Sequence, residues 1–393
     1  MLIVNARVAE SANESVQRVI EIRRPRMLFR NIAPSGPALD LGGHLLLPGL
    51  INAHDHLEFN LYPRLGKRRY TNACEWAADI HKLDTSPVRE HLRVPLATRL
   101  FWGSMKNLLA GVTTVSHHNP YQARIFDSGF PVRVVRRFGW AHSLAFSPDV
   151  PARFAETPAK QPFIVHAGEG TDAEAREEIY KLEQAGVLGT RTVLVHGIGF
   201  DASGFELVRR CGASMIWCPS SNVLTYGRTL QSEHVTSETP VALGTDSAMS
   251  AAGDMVDEIH FAHTLGVASL QRLYGMVTDV PAGILRLGRG VGALRHGGAA
   301  DLIAVEDRGQ SPAEALIGLV PEMVIARGRV HLISKRLLER VPLSLAAGWH
   351  SIRLEGRGEW LTPFDVPSFL KQAQTALGPE IRLAGRRVTQ WIH

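Results

Sequence analysis

One arrangement recurs along this chain and limits its fold more than any other: a short apolar run that ends at ionisable residues. Leu45 to Ile51 leads to His54-Asp55-His56, and Val112-Thr113-Thr114-Val115 leads to Ser116-His117-His118. Phe163-Ile164-Val165 ends at His166, Thr192-Val193-Leu194-Val195 at His196, and Val241-Ala242-Leu243 runs through Gly244-Thr245 to Asp246. Short β-prone runs alternating with helical patterns indicate parallel βα units. In such folds the strand ends converge on one face, where (β/α)8 active sites lie. Helical periods separate the runs, over Ser86 to Ala110, Asp172 to Gln184, Ser203 to Arg210, Asp254 to Gly266 and Ser269 to Leu287. A loop is expected between Cys218 and Val241. The one-residue gap between His54 and His56 puts both imidazoles on the same side of a strand.

The ends of the chain read differently. Residues 1–48 are β-rich, and strands return at Gly297 to Val305 and Glu322 to Val330. The expected organisation is an α/β chain with a TIM-like (β/α)8 barrel over 49–290. A small β-sandwich domain would be built from 1–48 and 291–335, and 336–393 would form a C-terminal extension. Its 393 residues suit a barrel with an appended domain. Between His118 and Phe163 two βα units are due, yet only one clear strand can be placed, about 132 to 141. A barrel compressed near its third and fourth strands is the consequence.

Several function classes are excluded. Lys and Arg number 43 against 38 acidic residues, and this excess of +5 is spread along the chain with no basic run interleaved with aromatics, so no nucleic-acid partner is indicated. The three cysteines, Cys74, Cys211 and Cys218, make no disulfide framework and point to a reducing, cytoplasmic compartment. No apolar run approaches the ~18 to 20 residues of a membrane span, and the N-terminus is too quickly interrupted for a signal peptide. A His-Glu-x-x-His helix, a P-loop, a Gly-x-Ser-x-Gly elbow and the Pro-Cys-x-x-Cys zinc signature are all missing from the sequence.

Imidazoles and a carboxylate at converging strand ends make a plausible site for Zn²⁺ or Fe²⁺ with an open position for water. A bound cation lowers the pKa of such water toward neutrality. Glu169, three residues after His166, is placed to carry the proton. His117 and His118 end another strand, so one of them is a candidate substrate contact. His260 and His263 read as a helix surface, Cys218 as a buried strand residue, and Glu75-Trp76 as either a pocket loop or packing.

Five pieces, in order, resemble the amidohydrolase superfamily, in the branch of cytosine, S-adenosylhomocysteine and guanine deaminases and the triazine hydrolases. They are Pro48-Gly49-Leu50-Ile51-Asn52-Ala53-His54-Asp55-His56, His166-Ala167-Gly168-Glu169, Leu194-Val195-His196-Gly197, Cys218-Pro219-Ser220-Ser221-Asn222 and Leu243-Gly244-Thr245-Asp246-Ser247. Gly298-Ala299-Ala300-Asp301-Leu302-Ile303 is similar to the family's return to its small β domain. The resemblance implies that His54, His56, His166 and Asp246 ligate one divalent metal ion, zinc in preference to iron. It also implies that Asp246 passes protons, Glu169 shuttles one to ring nitrogen and leaving amine, and His196 polarises the attacked group or steadies the hydroxide. Ser221 and Asn222 fall where relatives shape the substrate pocket. Binuclear members use a carboxylated lysine on a central strand; Lys106, Lys160 and Lys181 do not end an apolar run, which favours one metal. The implied reaction is attack of metal-bound hydroxide on an amino-substituted nitrogen heterocycle, releasing ammonia. Glu169 favours this over dechlorination, because triazine dechlorinases of the branch commonly lack that carboxylate. Ring opening of a cyclic amide, as in imidazolonepropionase-like relatives, is the alternative, and a barrel that binds without catalysis is the third. The partner is a small heterocycle, with neither nucleic acid nor membrane, and a homodimer is left open.

Overall fold

The computed structural model describes residues 1–31, 38–66, 69–127, 129–235, 238–342 and 345–391. Strands β1 (Leu2–Ala9), β2 (Ser15–Arg23), β3 (Arg26–Arg30) and β4 (Ala38–Pro48) open the chain, and β4 passes through Gly49 into β5 (Leu50–Asp55). Every residue of β5 is buried, as in β6 (Val112–His117), β9 (Phe163–Ala167), β10 (Thr192–His196), β11 (Ser214–Trp217) and β12 (Val241–Leu243). Burial on both faces explains their unbroken apolar runs, since helices cover what would otherwise be a polar side. The two short strands that complete this set are β7 (Arg133–Val134) and β8 (Gly139–Trp140).

These strands pair in parallel in the orders β5-β6-β7 and β12-β11-β10-β9-β8. The two sheets meet where Asp55 bridges Asp246 in parallel, with the Asp246 N–H donating to the His54 carbonyl at 3.0 Å. On the other side β7 and β8 are two halves of one crossing. The Val135 N–H still donates to Val115 of β6 (2.9 Å), whereas Gly139 N–H donates to Pro162 (2.9 Å) and Ala141 N–H to Ile164 of β9 (3.1 Å). One stretch, 133–141, thus serves β6 with its first half and β9 with its second. It occupies the interval where two βα units were due.

Helices α1 (Ala73–Ile80), α2 (Val88–Arg93), α3 (Leu96–Leu109), α4 (Val150–Glu156), α5 (Ala173–Gln184), α6 (Ala202–Cys211), α7 (Pro219–Tyr226), α8 (Met255–Thr264), α9 (Leu270–Met276) and α10 (Asp279–Ile284) surround these strands. Asp172, Asp201 and Asp254 cap α5, α6 and α8 by accepting backbone N–H bonds. The single helix expected over Ser86 to Ala110 is divided at Val94-Pro95, because proline disfavours helical geometry in the residue before it. The pattern over Ser269 to Leu287 likewise divides into α9 and α10. Helix α4 has no counterpart in the sequence reading, and α7 replaces the loop expected after Cys218.

The rest of the chain joins β1–β4 in an eleven-stranded sheet. β13 (Leu302–Val305) pairs antiparallel with β4, and β14 (Met323–Ala326) and β15 (Arg329–Ser334) form a hairpin where one strand was expected. Arg327 and Gly328, both at positive φ, make that turn. After α11 (Lys335–Leu338), β16 (His350–Leu354) and β17 (Gly358–Thr362) extend the sheet. Helix α12 (Val366–Leu377) precedes the closing strands β18 (Arg382–Leu383) and β19 (Arg386–Thr389). Helix α12 lies on α3, with the Phe101 and Phe369 rings stacked at 3.9 Å between centroids.

Candidate metal centre and its cavity

Four strand ends bring the predicted cluster together. His54 lies in β5, His166 in β9 and His196 at the end of β10, while His56 follows β5 and Asp246 follows β12. His54 Nε2 lies 3.2 Å from His166 Nε2 and 3.7 Å from Asp246 Oδ1, and His56 Nε2 is 3.5 Å from the same oxygen. Ligands about 2.1 Å from a tetrahedral zinc stand about 3.4 Å apart, so this spacing fits one ion. Two triplets can grip one, His54/His56/Asp246 and His54/His166/His196, and His54 is common to both.

The backbone is bent to make this possible. His196 and Asp246 have φ of 77° and 55°, a region non-glycine residues seldom enter and one that gathers at functional sites. Gly244 lets β12 approach β5, since a Cβ there would stand 2.7 Å from His54 Cβ. Gly168 turns the chain from His166 toward Glu169 at φ 64°, where a Cβ would meet the Phe200 ring at 2.5 Å.

A second layer of hydrogen bonds aims the ligand atoms. His166 Nδ1 bonds to the His142 carbonyl (2.8 Å), His196 Nδ1 to Asn222 Oδ1 (2.8 Å), and His56 Nδ1 to Asn119 Oδ1. Each of these contacts leaves Nε2 toward the centre, the arrangement by which outer partners set a ligating tautomer. Asp246 divides its oxygens in the same way: Oδ2 accepts from the Ser221 (2.6 Å) and Ser250 (2.8 Å) hydroxyls, and Oδ1 faces the imidazoles. Among the described residues, His196 Nε2 is buried without a hydrogen-bond partner, so it is able to bond to a bound group.

Charge follows geometry. Burial holds His54 down to about 4 against the hydrogen bond of Asp246, and burial with neighbouring imidazoles keeps His166 and His118 well below the usual range. Neutral imidazole is the metal-binding form. Burial pushes the Asp246 carboxyl up, but His54, His56 and His196 outweigh it and hold the group well down, ionised. Glu169 goes the other way, raised by burial and by the charge of Asp246 against the pull of His196 and Tyr226. It sits 3.6 Å from His196 Nε2.

Beneath β5 lies a polar brace. Asp55, the residue between the two histidines, pairs with the buried Lys106 at 3.1 Å and accepts from Asn60 (2.8 Å) and Asn107 (2.7 Å). Lys106 Nζ also donates to Asn60 Oδ1 at 2.7 Å. Lys106 is thereby committed to the underside of the His-Asp-His turn.

A cavity of about 410 Å³ opens beside the cluster, lined by His56, His166, Glu169 and Asp246 on one side. Phe59, Trp76, Trp140 and Phe146 supply aromatic walls, with His118, His142 and Arg153 among the polar residues. Three sequence expectations need correction. His117 does not reach this cavity: it turns to Glu58 (3.4 Å) and the Phe126 ring, because successive strand residues point to opposite faces. Ser221 and Asn222 do not line it either; they stand behind Asp246 and His196 and hold them. His118 does face the cavity, Trp76 resolves the Glu75-Trp76 alternative as a wall, and His260 and His263 are exposed on α8. Cys218 is buried, and burial raises its thiol well above the usual range.

Sequence reasoning missed His142, Trp140, Asn119 and Tyr226. The first two come from the single crossing 133–142, where no second βα unit marked a strand end. Tyr226 lies in α7, and its hydroxyl donates to Glu169 Oε1 at 2.7 Å.

Parallel strands thus gather histidines and an aspartate at one end, beside a cavity, with donor atoms close enough together that they could hold a metal ion. The amidohydrolase-family model matches residues 157–331 of the chain. It is 25% identical over 334 residues to the 5-methylthioadenosine/S-adenosylhomocysteine deaminase of Saccharophagus degradans, covering 68% of this chain and 72% of the relative. It is 31% identical over 191 residues to the 5'-deoxyadenosine deaminase of Methanoregula boonei, covering 42% of each. Among solved structures, the fold is similar to zinc-complexed atrazine chlorohydrolase from Arthrobacter aurescens (TM-score 0.70, 16% identity, 96% and 99% of the two chains). It is also similar to a zinc-bound adenosine deaminase from Xanthomonas campestris (0.67, 15%, 95% and 98%).

Proposed function

We propose that the protein is a metal-dependent hydrolase of non-peptide C–N bonds that releases ammonia from an amino-substituted nitrogen heterocycle. The observation that carries this reading is Glu169: its largely enclosed carboxyl lines the cavity beside the histidine cluster, 3.6 Å from His196 Nε2 and bonded by Tyr226, and desolvation raises its pKa. Its place suits protonation of a ring nitrogen and then of the departing amine. The two deaminase relatives act, by name, on adenine-containing compounds, which supports a heterocycle here.

In this proposal His54, His56, His166 and Asp246 hold one divalent ion, Zn²⁺ before Fe²⁺. When bound, the ion acidifies water and polarises the group under attack. Asp246, held ionised, would accept a proton from the attacking water, His196 would orient that water through Nε2, and Glu169 would deliver a proton to the substrate. His118 and His142 contact the heterocycle, and the aromatic walls exclude water from it.

Strands β5–β12 are proposed to close as one barrel over 49–290, with the crossing 133–141 standing for two strands. Residues 1–48 and 291–335 would form the small β domain and 336–393 its extension. No described helix is long and apolar enough to cross a membrane; with three free cysteines this suits the cytoplasm.

The test is product analysis. Zinc- and iron-loaded protein is assayed against aminated purines, pterins, pyrimidines and triazines. Ammonia with the matching oxo product is expected; a new carboxylate without ammonia means ring opening instead.

A further inference from the structure

Helix α7 touches three residues of the centre at once. Ser221 Oγ donates to Asp246 Oδ2 (2.6 Å), Asn222 Oδ1 accepts from His196 Nδ1 (2.8 Å), and Tyr226 Oη donates to Glu169 Oε1 (2.7 Å). Asn222 and Tyr226 are four apart and share a face, and Ser221 adjoins it, so one rigid body about 7.5 Å long from Ser221 to Tyr226 serves three strand ends. All three side chains are buried.

The helix is held at its start from the next one. Glu258 of α8, fully enclosed, accepts the Ser220 backbone N–H on Oε1 at 2.8 Å and the Ser220 hydroxyl on Oε2. The Ala252 N–H donates to the same hydroxyl oxygen at 3.3 Å. Gly227 ends the helix in the left-handed conformation. Among the described residues the hydrogen bonds of Glu258 run to Ser220 of α7, so its hydrogen-bonded link to the cluster passes through that helix.

We propose that α7 is an alignment element, in which Tyr226 positions the carboxylate of Glu169 and Glu258 sets the register of the helix that carries Tyr226, Asn222 and Ser221. This rests on the reading of Glu169 as the proton carrier. With Oε1 engaged by Tyr226, the remaining oxygen of Glu169 is presented in one orientation. Without the hydroxyl, the carboxylate samples rotamers in which proton transfer is misaligned, although substrate and metal still bind. Loss of Glu258 instead loosens all three contacts together, two of which end on the metal cluster.

The two positions therefore differ in readout. Tyr226→Phe should lower kcat about 10-fold with KM within about twofold and metal affinity unchanged. Glu258→Gln and the milder Ser220→Ala should weaken zinc binding about 10-fold, as loss of outer partners does. Ser220→Ala keeps the test alive if Glu258→Gln fails to fold. A double-mutant cycle decides the route: in a Glu169→Gln background, Tyr226→Phe should have no further effect on kcat. An additive loss in that background, an unchanged kcat in the single variant, or unaltered zinc affinity in folded Glu258→Gln and Ser220→Ala would each overturn the proposal. If Glu169→Gln itself turns over normally, the functional reading fails, and that result is separate from the Tyr226 and Glu258 outcomes.

Discussion

The two sides of the cavity are built on different principles. On the side of β5 and β9–β12, strand ends carry the ionisable residues and a helix or buried network fixes them: α7 holds Asp246, His196 and Glu169, and the Lys106–Asp55 pair lies under the His-Asp-His turn. On the side of β6–β8, one crossing does the work of two strands, and Trp140, His142 and Asn119 reach the cavity from its end or from a loop. On the first side most of the named polar groups are tied to partners, His54 Nδ1 and His196 Nε2 being exceptions, and the arrangement is suited to fixed chemistry. The second has aromatic walls and few such ties, and is suited to recognising a particular molecule. On the proposed function, chemistry and specificity would be separated across one cavity, as expected where a site is grafted on a widely used fold.

Substitutions on the first side should therefore remove activity or stability, and those on the second should change substrate preference. The largest effect is expected from Asp246→Ala, which would remove the proposed ligand and proton acceptor together; turnover should fall about 10⁴-fold with loss of zinc by metal analysis. Lys106→Met leaves Asp55 as an unpaired buried charge and should destabilise the protein by about 3–5 kcal/mol in urea melts. Glu169→Gln should retain the metal and lose turnover about 10²- to 10³-fold. Across the cavity, Trp140→Ala should raise KM about 10-fold for the preferred heterocycle with a smaller change in kcat. A loss confined to kcat would break the division drawn between the sides.

A further effect concerns acid, and it compares the sides directly. His54 and His142 are each held near 4 by burial, against an ordinary 6.5 in the unfolded chain. Between those values the unfolded state binds more protons, so stability present above about 6.5 is lost as the pH falls toward 4. Urea melts of metal-free protein across that interval should show the decline, and His142→Asn should remove only its own share of the slope. An unchanged slope would mean that the compressed side takes no part in it.

The residues that were legible from sequence are those whose chemistry and local pattern coincide. An apolar run ending in histidine declares both a strand and a candidate ligand, which is why His54, His56, His166, His196 and Asp246 could be named together. His117 and His118 show the limit of that signal: adjacent residues at one strand end look equivalent, and only the observed pleat sends one to the cavity and the other to Glu58. Ser221 and Asn222 were expected at the pocket from the family resemblance, whereas in the structure they lie on α7 and bond to Asp246 and His196. The Val94-Pro95 break was readable from proline alone and was hidden by a strong apolar period on either side of it.

What the amino-acid order determined by itself was local: buried strands, their polar ends, and the helices capped by aspartate between them. These follow from periodicity and side-chain chemistry over a few residues. Only tertiary structure decided that 133–141 would pair with both β6 and β9, that Lys106 would close on Asp55, and that Tyr226 would reach Glu169. Those pairings join positions far apart in the chain, and they depend on which surfaces meet when the sheet curls, a quantity that no local pattern carries.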